Sequence, residues 1–322
     1  MSKSAPDPQV TLAVSQIDAL VVSSVPWEYA DSRTDLGSLY NIAKRKVWDA
    51  ERDLKWQAYS RDLLSPVNEN ENPLNGFASF ENLNAVEKRG IAWWQHRLDL
   101  SEILHGEQGA LIIASQLVAS LTSVEGKLFA SSQVYDEARH VEFFSRYLRE
   151  VAGGICPPSD ALKTLVQRSI SDSRWDMKLL ACQILIESLA MARFQEIRRA
   201  TTIPLLRKAI DYILKDEARH TSFGITLLRD HIGTLKSEDR EYRSDLVINS
   251  LLSLTNALNA EVRIANALQW DTAALRRHLR LHRLRNPEVN RTRFRILMRN
   301  LESIGLLTTK ALERIHGIDA HI

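Results

Sequence analysis

The five residues Asp-Glu-Ala-Arg-His occur twice in this chain, at Asp136–His140 and again at Asp216–His220. Residues three apart on a helix share a face, so Glu137 with His140, and Glu217 with His220, can each aim a carboxylate and an imidazole at one point. A single Glu-x-x-His pair arises by chance on the order of once every few chains of this length. Two identical five-residue copies call for a shared purpose. Glu107 stands 30 residues before Glu137, and Glu187 stands 30 residues before Glu217, so the two halves are in register with an offset of 80. Thirty residues is about two antiparallel segments of four helical turns with a short connection, which returns each lone glutamate to the depth of its pair.

Four helices contributing two lone glutamates and two Glu-x-x-His pairs can hold two metal ions. The candidate ligands are Glu107, Glu137, His140, Glu187, Glu217 and His220. Glu187 interrupts the apolar run Leu180, Ile184, Leu185, Ile186, Leu189, where an unpaired carboxylate costs several kcal/mol and a cation removes that cost. Pairing with Arg219 or another arginine is the alternative. A ligating imidazole usually donates its other N–H to a carboxylate. Asp136 and Asp216 are placed for that, in a crossed arrangement with Asp136 orienting His220 and Asp216 orienting His140, and Arg139 and Arg219 balancing the aspartates. Surface Asp–Arg pairs would be the plainer use of the same residues. Four carboxylates and two imidazoles suit iron or manganese rather than copper or structural zinc. The expected cofactor is two Fe ions, with Mn/Fe also possible. Carboxylates that shift between bridging and terminal binding suit reaction with dioxygen.

The rest of the chain reads as helix. Its 12 glycines and 9 prolines are sparse among 322 residues, and the stretches between them are rich in Leu, Ala, Glu, Arg and Lys. Periodicity predicts helices over about 35–63, 81–98, 100–121, 123–151, 160–171, 174–199 and 204–232, with an Asn- and Pro-rich loop at 65–76. Gly153-Gly154 and Pro157-Pro158 mark a helix stop, and Pro204 a helix start. Further helices, broken near Trp270 and Pro287, fill the remainder. The expected fold is all-α, a four-helix bundle with additional N- and C-terminal helices. Residues 1–34 form a tail, 35–235 the metal-binding domain and 236–322 a helical extension packed on it.

At these motifs the sequence resembles the ferritin-like superfamily of carboxylate-bridged di-iron proteins, over Leu100 to Ile232. The doubled Asp-Glu-x-Arg-His looks most like the hydroxylase subunit of bacterial multicomponent monooxygenases. The overall length and the entry segment Leu39–Trp48 look more like the ribonucleotide reductase small subunit and its ligand-binding oxidase relatives; arylamine N-oxygenases are also similar. The resemblance implies the same six ligands. Four departures narrow it. Phe144 occupies the place of the reductase's radical-forming tyrosine, so a stored tyrosyl radical of that kind is not expected. Ala110 and Cys182 stand where the ligand-binding oxidases join a valine to a tyrosine, so that ether bond cannot form. Ile213 replaces the extra histidine of the N-oxygenases, and Met191 the threonine of the monooxygenases. Ferritins share the ligand set at roughly half this length.

A pocket is expected one turn from the ligands, lined by Ala110, Leu111, Ala114, Gln133, Phe144, Ala190, Met191, Phe194, Ile213 and Gly224, and suited to a hydrophobic or aromatic molecule. The functional expectation is a di-iron oxidase or oxygenase that activates dioxygen to oxidise or hydroxylate a small organic substrate, with electrons from a ferredoxin or reductase. An iron-handling ferroxidase and a radical-generating, reductase-like protein are the alternatives. Tyr135 and Tyr212 are candidate relays or packing residues, Trp93 and Trp94 core, and His96 and His105 surface groups or residues near the ligands. Cys156 and Cys182 read as buried thiols outside the function. The arginines at 276, 277, 280, 283, 285, 291, 293, 295 and 299 form a solvated face or a site for an acidic partner; without interleaved aromatics they do not suggest nucleic acid. No export signal or membrane span is apparent, so a cytoplasmic protein, as a homodimer, is expected.

Overall fold

The computed structural model describes residues 14, 16–27, 29, 34–257, 260–285 and 287–321, without the side chains of 255–259, 283–293 and 316–322. Residues 1–13, 15, 28 and 30–33 of the expected tail, and the side chains of Arg283, Arg285, Arg291 and Arg293, therefore lie outside the described residues.

Thirteen α-helices occur among the described residues. In chain order they are α1 (Asp35–Arg45), α2 (Ala78–Glu81), α3 (Ala85–Ser120), α4 (Val124–Tyr147), α5 (Asp160–Ser171), α6 (Trp175–Leu179), α7 (Glu187–Ala200), α8 (Pro204–Thr234), α9 (Ser237–Ala257), α10 (Ala260–Ala267), α11 (Thr272–Arg285), α12 (Pro287–Ser303) and α13 (Thr309–His321). A π-helical turn, Leu180–Ile186, joins α6 to α7 so that the three run as one continuous rod. A ring of four closes: α3 packs on α4, α4 on α8, α8 on α7 and the π-turn, and the π-turn on α3. This is the ferritin-like bundle. Outside it, α1 lies on α4 and α8, α5 on α3 and α9, α10 on α3, and α12 on α7.

Two expectations about helix limits need correction. The helix expected over 35–63 stops at Arg45. Just beyond, the Asp49 carboxylate accepts the backbone N–H groups of Glu51 and Arg52, and Asp53 accepts that of Asp49. Such local bonds compete with helical ones and turn the chain. The segments expected over 81–98 and 100–121 are instead one 36-residue helix, α3. Asp99, the supposed break, continues the helix and pairs with Arg193 of α7. Asn84 starts α3 with a capping box, accepting from Val86 and Glu87 while the Glu87 side chain accepts from the Asn84 backbone. Elsewhere the punctuation reads true: Gly153 and Gly154, at φ 96 and 129, end the α4 rod in a conformation that side chains avoid.

The bundle interior divides along its length into two apolar zones. One contains Ile113, Leu117, Phe129, Leu180, Ile184, Phe223 and Leu228; the other contains Leu100, Leu104, Phe143, Phe144, Phe194, Leu206 and Ile213. The six candidate ligands fall between these zones in all four rods.

Candidate metal centre

Glu107 comes from α3, Glu137 and His140 from α4, Glu187 from the start of α7, and Glu217 and His220 from α8. All six are buried, none more than 6% exposed. They fall into two overlapping donor sets, Glu107, Glu137, His140 and Glu217, and Glu137, Glu187, Glu217 and His220, with ligand atoms in each lying within 4.8 Å of one another. Glu137 and Glu217 belong to both and are placed to bridge. Each histidine turns Nδ1 inward: His140 Nδ1 is 3.2 Å from Glu107 and Glu217 and 3.3 Å from Glu137. His220 Nδ1 is 3.2 Å from Glu137 and 3.4 Å from Glu217.

Behind the histidines the geometry is crossed between the two motif copies. His140 Nε2 is 3.2 Å from Asp216, and His220 Nε2 is 3.2 Å from Asp136. Arg139 and Arg219 each contact both aspartates. Trp48, which follows α1 and is 2% exposed, completes the layer. Its indole N–H donates to Asp216 at 2.7 Å, its carbonyl accepts from Arg139, and its ring stacks on Tyr212. Trp48 was not among the sequence candidates; its partner lies 168 positions away, and nothing local marks it.

Five ligand atoms that are buried and lack a hydrogen-bond partner point to cations at this spot: Glu137 Oε2, Glu187 Oε2, both Glu217 oxygens and His220 Nδ1. Buried carboxylates left so are costly unless a cation meets them. The electrostatics agree. Burial and the Glu217 charge push the Glu107 carboxyl well above its usual range, and burial with the Glu217 and Glu137 charges does the same to Glu187. Burial works against protonation of both histidines, yet Glu107 and Asp216 raise His140, and Glu137 and Asp136 raise His220, well above the usual value. Burial also opposes ionisation of Glu137, but the two imidazoles hold it well below the carboxylate range. Without metal, the cluster takes up protons in place of cations. Donor type, convergence and charge thus fit a pair of divalent ions, iron or manganese by their hard oxygen and nitrogen donors.

The other expected site residues are scattered. The Gln133 amide donates to Glu137 at 3.1 Å and Glu187 at 2.8 Å, and accepts from Gln183. Gln183, on the π-turn, was missed, although an amide within an apolar run could have flagged it. Gly224 faces Gln183, whose Cβ would lie 2.6 Å from any Cβ added there. Ala110 packs in one apolar zone, while Phe144, Phe194 and Ile213 pack in the other, Phe144 stacking on Phe194. Ala114 and Met191 are buried, and Leu111 and Ala190 half-buried. Cys182 is fully buried, with Sγ 3.7 Å from Glu187 Oε1, and burial and that carboxylate push its thiol pKa well up. His96 is a core residue bonded to Tyr147, and half-buried His105 meets the Cys156 carbonyl; neither is a free surface group. Trp93 is core, Tyr135 half-exposed.

The fold is that of a ferritin-like helix bundle, and its buried donor set is one that could hold two metal ions. Among solved structures, the chain is similar to two single-substitution variants of an R2-like ligand-binding oxidase, each with an anaerobically reconstituted Mn/Fe cofactor. Each is 18% identical, covering 85% of this chain and 94% of the other, with TM-scores of 0.52 and 0.53. At that identity the likeness is one of fold. No protein-family model and no curated protein matches the sequence.

Proposed function

We propose that the protein is a dinuclear oxidase that holds two iron ions, or manganese and iron, and reduces dioxygen in a closed site, its oxidising power falling on the ions and on residues beside them. This places it with radical-forming and ferroxidase-type proteins. The observation that carries the reading is the set of five buried, unpartnered donor atoms shared between two overlapping ligand sets. The Mn/Fe cofactor named for the similar oxidases supports a mixed pair as well as di-iron.

A bound pair of ions would supply electrons for dioxygen reduction. The chain's own part is to hold and insulate. Glu137 and Glu217, common to both donor sets, would help hold both ions, with Glu107 and His140 completing one set and Glu187 and His220 the other. Asp216 and Asp136 keep the Nε2 protons of the two histidines, so that each Nδ1 lone pair faces inward. Gln133, bonded to both Glu137 and Glu187, restrains those two carboxylates. The apolar zones above and below exclude water, which strengthens every charge interaction between them. An external electron donor such as a ferredoxin or reductase would return the ions to the reduced state.

Oxidation or hydroxylation of a small hydrophobic substrate is the second reading. What favours it is that Leu111 and Ala190, one turn beyond Glu107 and Glu187, are only half-buried, so the ligand helices are not sealed all round. Metal-free protein titrated anaerobically with ferrous iron should take up about two ions per chain, then consume dioxygen. Uptake of about one ion or fewer, with Glu187→Ala unchanged, would refute the dinuclear reading. Continued ferric mineral growth would point to storage, and oxygen uptake that rises on adding a small aromatic compound would favour the second reading.

A further inference from the structure

Cys182 lies against the metal cluster without a place in the ligand set. Its sulfur, fully buried, is 3.7 Å from Glu187 Oε1, the oxygen that also accepts from Gln133. The other oxygen of the same carboxylate is one of the buried, unpartnered atoms that converge on the cluster. The thiol therefore touches a carboxylate whose free oxygen faces the proposed ions. The chain brings it there deliberately: the π-helical turn Leu180–Ile186 carries Cys182 and Gln183 and delivers Glu187 at its end, and such turns inside helices are frequent at functional positions.

Among the described residues, the other side chains that meet a ligand carboxylate are amides and imidazoles: Gln133, His140 and His220. Sulfur differs from these in carrying an electron pair that accepts an oxygen atom readily. With the thiol 0% exposed, no oxidant can meet it at the protein surface. A disulfide is not open to it either, because the second cysteine, Cys156, packs in a separate cluster with Leu74, Phe80 and Leu98. An oxidised Cys182 would thus persist, with no second thiol at hand to resolve it.

We propose that Cys182 is the internal reductant of this site: when the reduced ions meet dioxygen with no other oxidisable molecule present, the Cys182 thiol is converted to a sulfenic acid. The step balances. Dioxygen takes four electrons, two from the sulfur and one from each of two divalent ions. One oxygen atom is inserted into the S–H bond to give S–O–H, and the other leaves as water with two protons from solvent. The inference rests on the dinuclear oxidase reading and adds to it the residue that is oxidised. It also assigns a role to a residue that resembles an inert core thiol in sequence.

The test reads the chain itself. Protein loaded anaerobically with ferrous iron is exposed to dioxygen, denatured and weighed. The tryptic peptide Leu179–Arg193 should gain about 16 Da, with fragmentation placing the added mass on Cys182 rather than on Met191 in the same peptide. Dioxygen labelled with the heavy oxygen isotope should raise that gain by about 2 Da, and the count of free thiols under denaturing conditions should fall from two per chain towards one. Anaerobic samples, and Cys182→Ser or Cys182→Ala protein, should show no gain. Oxygen uptake with ferric absorbance but both thiols intact would overturn the assignment and leave the oxidase reading standing. Failure to bind two ions or to take up dioxygen would overturn both.

Discussion

Asp216→Asn is the substitution that best separates the parts of this site. Asp216 Oδ2 accepts the Trp48 indole N–H at 2.7 Å and lies 3.2 Å from His140 Nε2, while Oδ1 pairs with Arg219. Every partner is a donor, so an amide must set its NH2 group against one of them whichever way it turns. At least one charge-assisted hydrogen bond is lost, worth about 1.5–3 kcal/mol. The four-residue cluster of Asp136, Asp216, Arg139 and Arg219 also moves from neutral to a net buried positive charge. Because Asp216 serves His140 and not His220, the loss should fall on one ion, the one held by Glu107 and His140. Loss of a carboxylate behind a ligating histidine weakens metal binding by roughly 10–100-fold, or about 1.4–2.7 kcal/mol. Anaerobic equilibrium dialysis of metal-free protein against manganous ion should therefore resolve one weakened and one little-changed binding step. Asp136→Asn should weaken the opposite ion, through His220. Combining Asp216→Asn with Glu107→Ala should cost little more than the worse single change, whereas combining it with Glu187→Ala should weaken both steps. Equal weakening of both ions by each aspartate variant would refute the crossed assignment.

Three further outcomes follow from the same geometry. Trp48→Phe removes the indole donor to Asp216 and should destabilise the metal-free protein by about 1.5–3 kcal/mol in denaturant unfolding, with the Glu107–His140 ion weakened alongside; an unchanged midpoint would show that the indole bond is dispensable. Gly224→Ala would place a methyl 2.6 Å from Gln183 Cβ, so the π-turn must shift; a cost of about 1–3 kcal/mol is expected, read as a lower melting temperature together with weaker binding of the ion held by Glu187. Between about pH 6.5 and pH 8, Glu107, Glu187, His140 and His220 bind more protons in the folded metal-free protein than unfolded, since all four are raised, while His96 and His105, lowered by burial, act the other way only below that range. Metal-free stability should therefore fall as pH rises through that window, while metal affinity rises because binding displaces those protons; a melting temperature for metal-free protein that climbs over the same window would contradict the protonated cluster.

The metal site was legible because helical periodicity is local. Glu137 and His140 share a face by virtue of three-residue spacing alone, and the equal intervals before Glu137 and Glu217 required two helix pairs of matching length. Glu187 was legible because a carboxylate inside an apolar run is costly and demands a partner. The same reasoning misjudged α1 and α3. Whether a helix ends is settled by competing bonds, and those of Asp49 and the Asp99–Arg193 pair outweigh what periodicity implies.

Spacing and residue chemistry by themselves determined the ligand types, their number and their pairing into two repeated halves. What required the folded chain were contacts between residues far apart in sequence: Trp48 on Asp216, Gln133 between Glu137 and Glu187, Gln183 against Gly224, and Cys182 beside Glu187. What the expected pocket residues face also depended on the folded chain. Residues one turn from a ligand can face any direction until neighbouring rods arrive, and here packing sent Ala110 into one apolar zone and Phe144, Phe194 and Ile213 into the other. Periodicity specifies a direction around one helix axis; only the packing of four axes decides what stands opposite.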